Sequence, residues 1–267
     1  MTAPTMILLG HGSPNSRVAE ISHDICAGVL RIRPELDVHV AFMDRGAPSG
    51  LQLVNKLVKR GVSEVVFVPL LLSDAFSGPA GVPALVAQVQ AGHPDLAVIA
   101  SRPIGPEAQL LAVVDRRLRL ELHERRIGEL DGLVFAAAGS TDPRSLALVA
   151  RRARQWGSHH RLPCVTAFGH GPGPTTGEAV RTLRSQGRRH LAVGSWFLAP
   201  GELYLRQAEL ALDAGALAVS APLGAEPEIA ETALARYLVA AMDLVDLSLD
   251  LAGAEAVPTR HLSVVSA

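Results

Sequence analysis

The sequence predicts an α/β protein made of two similar doubly wound lobes, each a four-stranded parallel sheet flanked by helices. The first observation behind this is repetition. Gly139-Ser140 follows Gly12-Ser13 by 127 residues, Ala167-Phe168 follows Ala41-Phe42 by 126, and Phe197-Leu198-Ala199 stands 126 after Leu71-Leu72-Ser73. Pro222-Leu223-Gly224 answers Pro103-Ile104-Gly105 at 119. Four landmarks in unchanged order mark an internal duplication. The second observation is alternation, because short apolar runs take turns with segments whose apolar residues recur every three or four positions. The third is that runs such as Val65-Val66-Phe67-Val68 are apolar throughout, as strands buried on both faces of a parallel sheet must be.

Element by element, Met6–Leu9 reads as the opening strand, followed by Gly10-His11-Gly12-Ser13-Pro14. Ser13 is the expected helix cap with Pro14 at the first helical position, where a missing N–H costs nothing. Val18, Ile21, Ile25, Val29 and Ile32 form one apolar stripe, ended by Pro34. A strand is expected over Val38–Phe42, a helix through Leu51, Val54, Leu57 and Val58, and a strand over Glu64–Ser73. Pro69 cannot donate to a ladder, so that strand must bulge or lose a neighbour near its end. A helix from Val82, a strand over Leu96–Ala100 and a long helix from Pro106 to about Arg126 complete the first half. Leu133–Ala137, Cys164–Phe168, His190–Leu198 and Ala216–Ser220 supply the second set of strands. The lobes are expected at 1–127 and 128–245, with a tail over 246–267.

Bulk properties exclude several classes. A net charge of −1 among 267 residues gives no support to nucleic-acid or membrane-surface binding. No apolar run reaches the roughly 18 residues of a membrane span, and no basic segment precedes the first strand, so a cytoplasmic protein is expected. Cys26 and Cys164 read as buried free thiols. Lysines 56 and 59 stand against 23 arginines. That bias suits carboxylate or phosphate ligands, but genomic base composition explains it without any ligand and is the preferred reading.

His11 is the leading candidate for chemistry. It ends the first strand between two glycines that admit a ligand close to the backbone, at the edge where such sheets bind ligands. Gly10-His11-Gly12 lacks the third glycine of a dinucleotide loop. Gly10 stands where a phosphoryl-transfer histidine would have an arginine, and Ser13 lacks the surroundings of a hydrolase nucleophile. What remains is an imidazole suited to holding a metal or taking a proton.

Leu9-Gly10-His11-Gly12-Ser13, Val66-Phe67-Val68-Pro69-Leu70-Leu71-Leu72-Ser73 and Arg102-Pro103-Ile104-Gly105-Pro106 together resemble the sirohydrochlorin and cobalt chelatase family in its long, two-lobed form. The resemblance runs from about Met6 to Tyr237. It implies a class II chelatase fold of flavodoxin-like topology. It also implies insertion of Fe²⁺ or Co²⁺ into sirohydrochlorin or a related carboxylate-rich tetrapyrrole, in siroheme or cobalamin-type biosynthesis. ATP and organic cofactors are not required, and the divalent ion is itself a substrate. His11 matches the family's first histidine. The second is expected at or near Ser77 and is absent there. A monomer or homodimer is expected, with the small tetrapyrrole as its partner.

The repeat offers replacements. His170 lies 126 residues after Asp44, so both are expected in the loop after the second strand of their lobes, facing one another across a cleft. With Glu202 they complete the expected metal set of His11, His170, Asp44 and Glu202. Ser13, Arg17, Arg45, Ser73, Ser77 and Arg102 are the expected substrate contacts; the arginines can pair with substrate carboxylates, with ordinary surface salt bridges as the competing reading. His159-His160 is read as an extended pair whose rings diverge, and the remaining histidines are assigned no role. Two alternatives stay open: a non-catalytic metal or tetrapyrrole carrier, and a phosphate-binding module using the helix start at Ser13.

Overall fold

The computed structural model describes residues 3–73 and 81–255, with side chains to Leu244. Ser77 therefore lies outside the described residues. The first half runs β1 (Thr5–Gly10), α1 (Ser16–Ile32), β2 (Val38–Phe42), α2 (Gly50–Val58), β3 (Glu64–Pro69), α3 (Val82–Gly92) and β4 (Ala97–Ala100). A 3₁₀ turn at Ala108–Leu110 then leads into α4 (Leu111–Glu124). The second half runs β5 (Gly132–Gly139), α5 (Pro143–His160), β6 (Cys164–His170), α6 (Thr176–Ser185), β7 (Leu191–Trp196), α7 (Glu202–Asp213), β8 (Ala218–Val219) and α8 (Pro227–Glu255).

Both sheets are parallel and share one topology, β2-β1-β3-β4 and β6-β5-β7-β8. The duplication extends to single hydrogen bonds. Phe42 N–H donates to the Pro48 carbonyl and Phe168 N–H to that of Pro174. Ser49 with Gln52, and Thr175 with Glu178, form matching capping boxes at the starts of α2 and α6.

Alternating strand residues feed different cores, as a period of two dictates. Met6, Leu8, Val66, Val68, Leu133 and Phe135 belong to one core that spans both lobes. Ile7, Leu9, Val65 and Phe67 face an outer core under α2 and α3, and Val134, Ala136 and Val193 face its counterpart under α6. The lobes also exchange helices. Helix α4 packs on β7 and β8, while α8 packs on α1, β3 and β4. Tyr237 of α8 is buried and donates to the Pro4 carbonyl at 2.7 Å, and Arg236 donates to the Pro103 carbonyl at 2.9 Å while pairing with Glu107. On the other side Arg116 joins Glu226 at 2.7 Å and Glu228 at 3.0 Å. These two carboxylates raise the Arg116 pKa still further.

Several local expectations are corrected. Ser13 does not cap α1. Asn15 does, accepting from Arg17 N–H at 3.0 Å, while the Ser13 hydroxyl accepts from Asn15 N–H one step earlier. An amide side chain does the work expected of the hydroxyl because the chain needs two more residues to turn from the strand. Strand β3 ends at Pro69 rather than Ser73, since β4 has already ended opposite Phe67 and proline cannot extend the ladder. His159-His160 closes helix α5 instead of lying extended, and its rings meet edge to face at 5.0 Å. Helix α8 continues to Glu255, past Asp246 where the sequence pattern fades.

Candidate active site between the lobes

The carboxyl ends of both sheets border a cavity of about 470 Å³, within the roughly 300–1,000 Å³ of small-molecule sites. His11 is the first residue beyond β1, a central strand, so its neighbours are the loop after β2 and the end of β3. Its Nδ1 lies 3.4 Å from Asp44 Oδ1, and both side chains are about half exposed, at 50% and 44%. The same Asp44 oxygen accepts from Gly12 N–H at 2.8 Å. Gly12 has to be glycine, because a Cβ there would overlap the Arg45 carbonyl and sit 2.7 Å from the Arg45 Cα. The loop after β1 is thus pressed against the loop after β2, and a backbone bond fixes the carboxylate beside the imidazole.

The second lobe repeats the arrangement with other side chains. Ser140 accepts from Asp142 N–H at 3.0 Å, and Asp142 caps α5, as Ser13 and Asn15 do for α1. A Cβ on Gly139 would overlap the His170 carbonyl. Ala138 replaces His11, so the imidazole on this side comes from His170 at the end of β6. Glu202 opens α7.

His11, Ser13, Asp44, Arg45 and Ser73 from the first lobe, and His170 and Glu202 from the second, all line this one cavity. Among the described residues no three His, Cys, Asp or Glu side chains converge to hold an ion, so the four expected ligands share a cavity without forming a ligand sphere. Arg17 and Arg102 are absent from its lining. Arg17 is exposed on α1, 3.9 Å from Glu20, and Arg102 is exposed after β4.

Three lining features were not legible beforehand. Trp196, almost fully buried, donates from Nε1 to the Leu72 carbonyl at 3.1 Å, tying the end of β7 to the segment after β3. The repeat offset of 126 places it opposite Leu70, the one signal that could have singled it out. Ser145 presents a buried hydroxyl with no hydrogen-bond partner among the described residues. Tyr204 donates to the Ser220 carbonyl at 3.2 Å, and burial pushes its phenol up, with the Glu121 charge adding to the shift. Asn15 also bridges the lobes, donating from Nδ2 to the Pro200 carbonyl at 2.8 Å.

Comparison with known proteins agrees with this architecture. The chain matches the CbiX family over residues 5–121 and again over 132–240. It belongs to that family. The two matched segments correspond to the two halves of the duplication. The chain is 23% identical over 210 residues to a sirohydrochlorin cobaltochelatase of Priestia megaterium, a match covering 76% of this chain and 66% of the relative, so it spans just under two thirds of that protein. SirB from Bacillus subtilis with Fe³⁺ superposes with a TM-score of 0.72 at 19% identity, over 88% of this chain and 94% of the other. The sirohydrochlorin chelatase SirB of Bacillus subtilis subspecies spizizenii, in complex with cobalt, gives the same TM-score and identity over 90% and 96%. These likenesses fix the fold as that of the class II chelatases. No helix among the described residues is long and apolar enough to cross a membrane.

Proposed function

We propose that this CbiX-family protein is a chelatase that inserts Fe²⁺ or Co²⁺ into sirohydrochlorin or a related carboxylate-rich tetrapyrrole, without ATP or an organic cofactor. The observation that carries this is the His11–Asp44 pair at the lip of a cavity enclosed by both lobes. Membership of the CbiX family and the names of its relatives support the same reading.

Metal insertion replaces two pyrrole N–H protons with one divalent ion, so a site must hold the ion, accept protons and fix the ring. Asp44 beside Nδ1 favours the tautomer protonated there, which places the basic lone pair on Nε2 for metal or proton. His170 and Glu202 face the ring from the other wall, and closure of the lobes on substrate brings them toward His11. Ser13, Arg45 and Ser73 contact the macrocycle and its carboxylates. The protein acts in the cytoplasm as a monomer or homodimer.

A second reading is a carrier that binds metal or macrocycle without turnover. It is favoured by the lack of a three-ligand cluster among the described residues. Incubating the protein anaerobically with metal-free sirohydrochlorin and Co²⁺ or Fe²⁺, and following the macrocycle absorption, separates the two. A chelatase exceeds the spontaneous rate and loses that excess on His11→Ala. A carrier saturates with macrocycle and leaves the rate at background.

A further inference from the structure

Charge is distributed very unevenly along this chain. Residues 143–190 hold nine arginines against one acid, Glu178, a net of +8 in a chain whose total is −1, so the remainder carries −9. This segment is α5, β6 and α6, with β6 the outermost strand of its sheet and the two helices on opposite faces of it. On α4 and at its C-cap the arginines are neutralised: Arg116, Arg117, Arg119 and Arg125 each pair with a carboxylate. On α5 they are not. Arg144, Arg151 and Arg154 are exposed, and no carboxylate pairs with them among the described residues.

The position of α5 gives this charge a direction. Ser145 and Leu146, in its first turn, line the cavity, so Arg144 stands at the rim. Arg151 follows two turns later on the same face and Arg154 three residues beyond, which draws a cationic stripe about 15 Å long away from the mouth. Inside, Arg45 is the one arginine or lysine among the described lining residues. A polyanion therefore meets more positive charge on the approach than in the site. Such an arrangement accelerates encounter more than it tightens the bound state.

We propose that the Arg144–Arg151–Arg154 face of α5 is an electrostatic guide that draws the carboxylate-rich macrocycle to the cavity mouth; this rests on the chelatase reading above. The test is stopped-flow binding of metal-free sirohydrochlorin with no metal ion present, comparing wild type with R144E/R151E/R154E. At about 0.01 M salt, where screening reaches about 30 Å, the association rate of the variant falls at least about tenfold; at about 1 M the difference vanishes. The dissociation rate stays unchanged. R144Q/R151Q/R154Q, which removes charge without reversing it, gives a smaller fall in the same direction.

The control is K56E/K59E/R60E, an equal charge change at exposed positions where α2 ends, near the start of β3 and so at the end of the sheet away from the cavity. Guidance by α5 leaves this control close to wild type. Equal slowing of the control, or an association rate in R144E/R151E/R154E that matches wild type at low salt, overturns the inference while leaving the chelatase reading intact. A wild-type protein that binds no macrocycle overturns both.

Discussion

Replacing Gly12 with alanine tests how tightly the loop after β1 governs the site. The added methyl carbon would overlap the Arg45 carbonyl and lie 2.7 Å from the Arg45 Cα, against the roughly 3.5 Å at which carbon atoms rest. The carbonyl carbon and oxygen lie nearer still, so the two loops must part by about 1.5 Å or more. That separation stretches the 2.8 Å bond from Gly12 N–H to Asp44 and moves the carboxylate away from His11, already 3.4 Å distant. Misplacement of about 1 Å in a reacting group costs on the order of a hundredfold in rate. The assay is metal insertion at saturating macrocycle, with the melting temperature recorded in parallel. G12A is expected to lose about a hundredfold in kcat and to remain folded, because the clash falls in the loops and leaves the β1 ladder intact. Activity within twofold of wild type in a folded G12A protein refutes the claim that this contact positions His11.

Three further outcomes are expected. Trp196→Phe removes the bond to the Leu72 carbonyl but keeps a ring against Phe135, whose centroid lies 5.4 Å away; KM is expected to rise several-fold with stability lowered by about 1 kcal/mol, and an unchanged KM excludes a role for this tie in shaping the cavity. Tyr237→Phe deletes the buried bond from α8 to Pro4 and is expected to lower unfolding free energy by about 1 kcal/mol in urea titration. Burial pushes the Cys164 thiol up to about 12, from about 8.5 in an unfolded chain. The folded state therefore disfavours the thiolate: this stabilising contribution is complete below about pH 8.5 and is lost as pH rises toward 12, with about 1–2 kcal/mol gone by pH 10. Cys164→Ala should flatten that part of the profile, measured as urea midpoints at pH 8 and pH 10.

Strand order and lobe similarity were legible because parallel strands are apolar throughout and the repeat keeps its spacing; Val38–Phe42 is observed as read. Helix exchange was not legible. The apolar stripes of α4 and α8 state that each helix buries one face, and nothing in their period says which lobe supplies the partner. His11 was placed at a strand end by its own flanks and Asp44, His170 and Glu202 by the repeat, and all four line one cavity. Their mutual distances depend on the tilt between lobes, set by long-range contacts such as Asn15 to Pro200 and Trp196 to Leu72. A position near a strand end says nothing of helix face; Arg17 stands exposed on α1 beside Glu20, as the surface-pair reading has it. The cap at Asn15 was hidden by Ser13-Pro14, a stronger local signal that the backbone does not use.

The central claim is that an imidazole at the end of β1 receives the metal between the lobes. Crystals soaked with Co²⁺, with anomalous scattering recorded at the cobalt edge, test it most directly. The account requires a peak in the cavity within about 2.0–2.3 Å of a His11 ring nitrogen, lost in His11→Ala crystals grown and soaked identically. A cobalt peak held elsewhere, unchanged by that substitution and with none at His11, contradicts it.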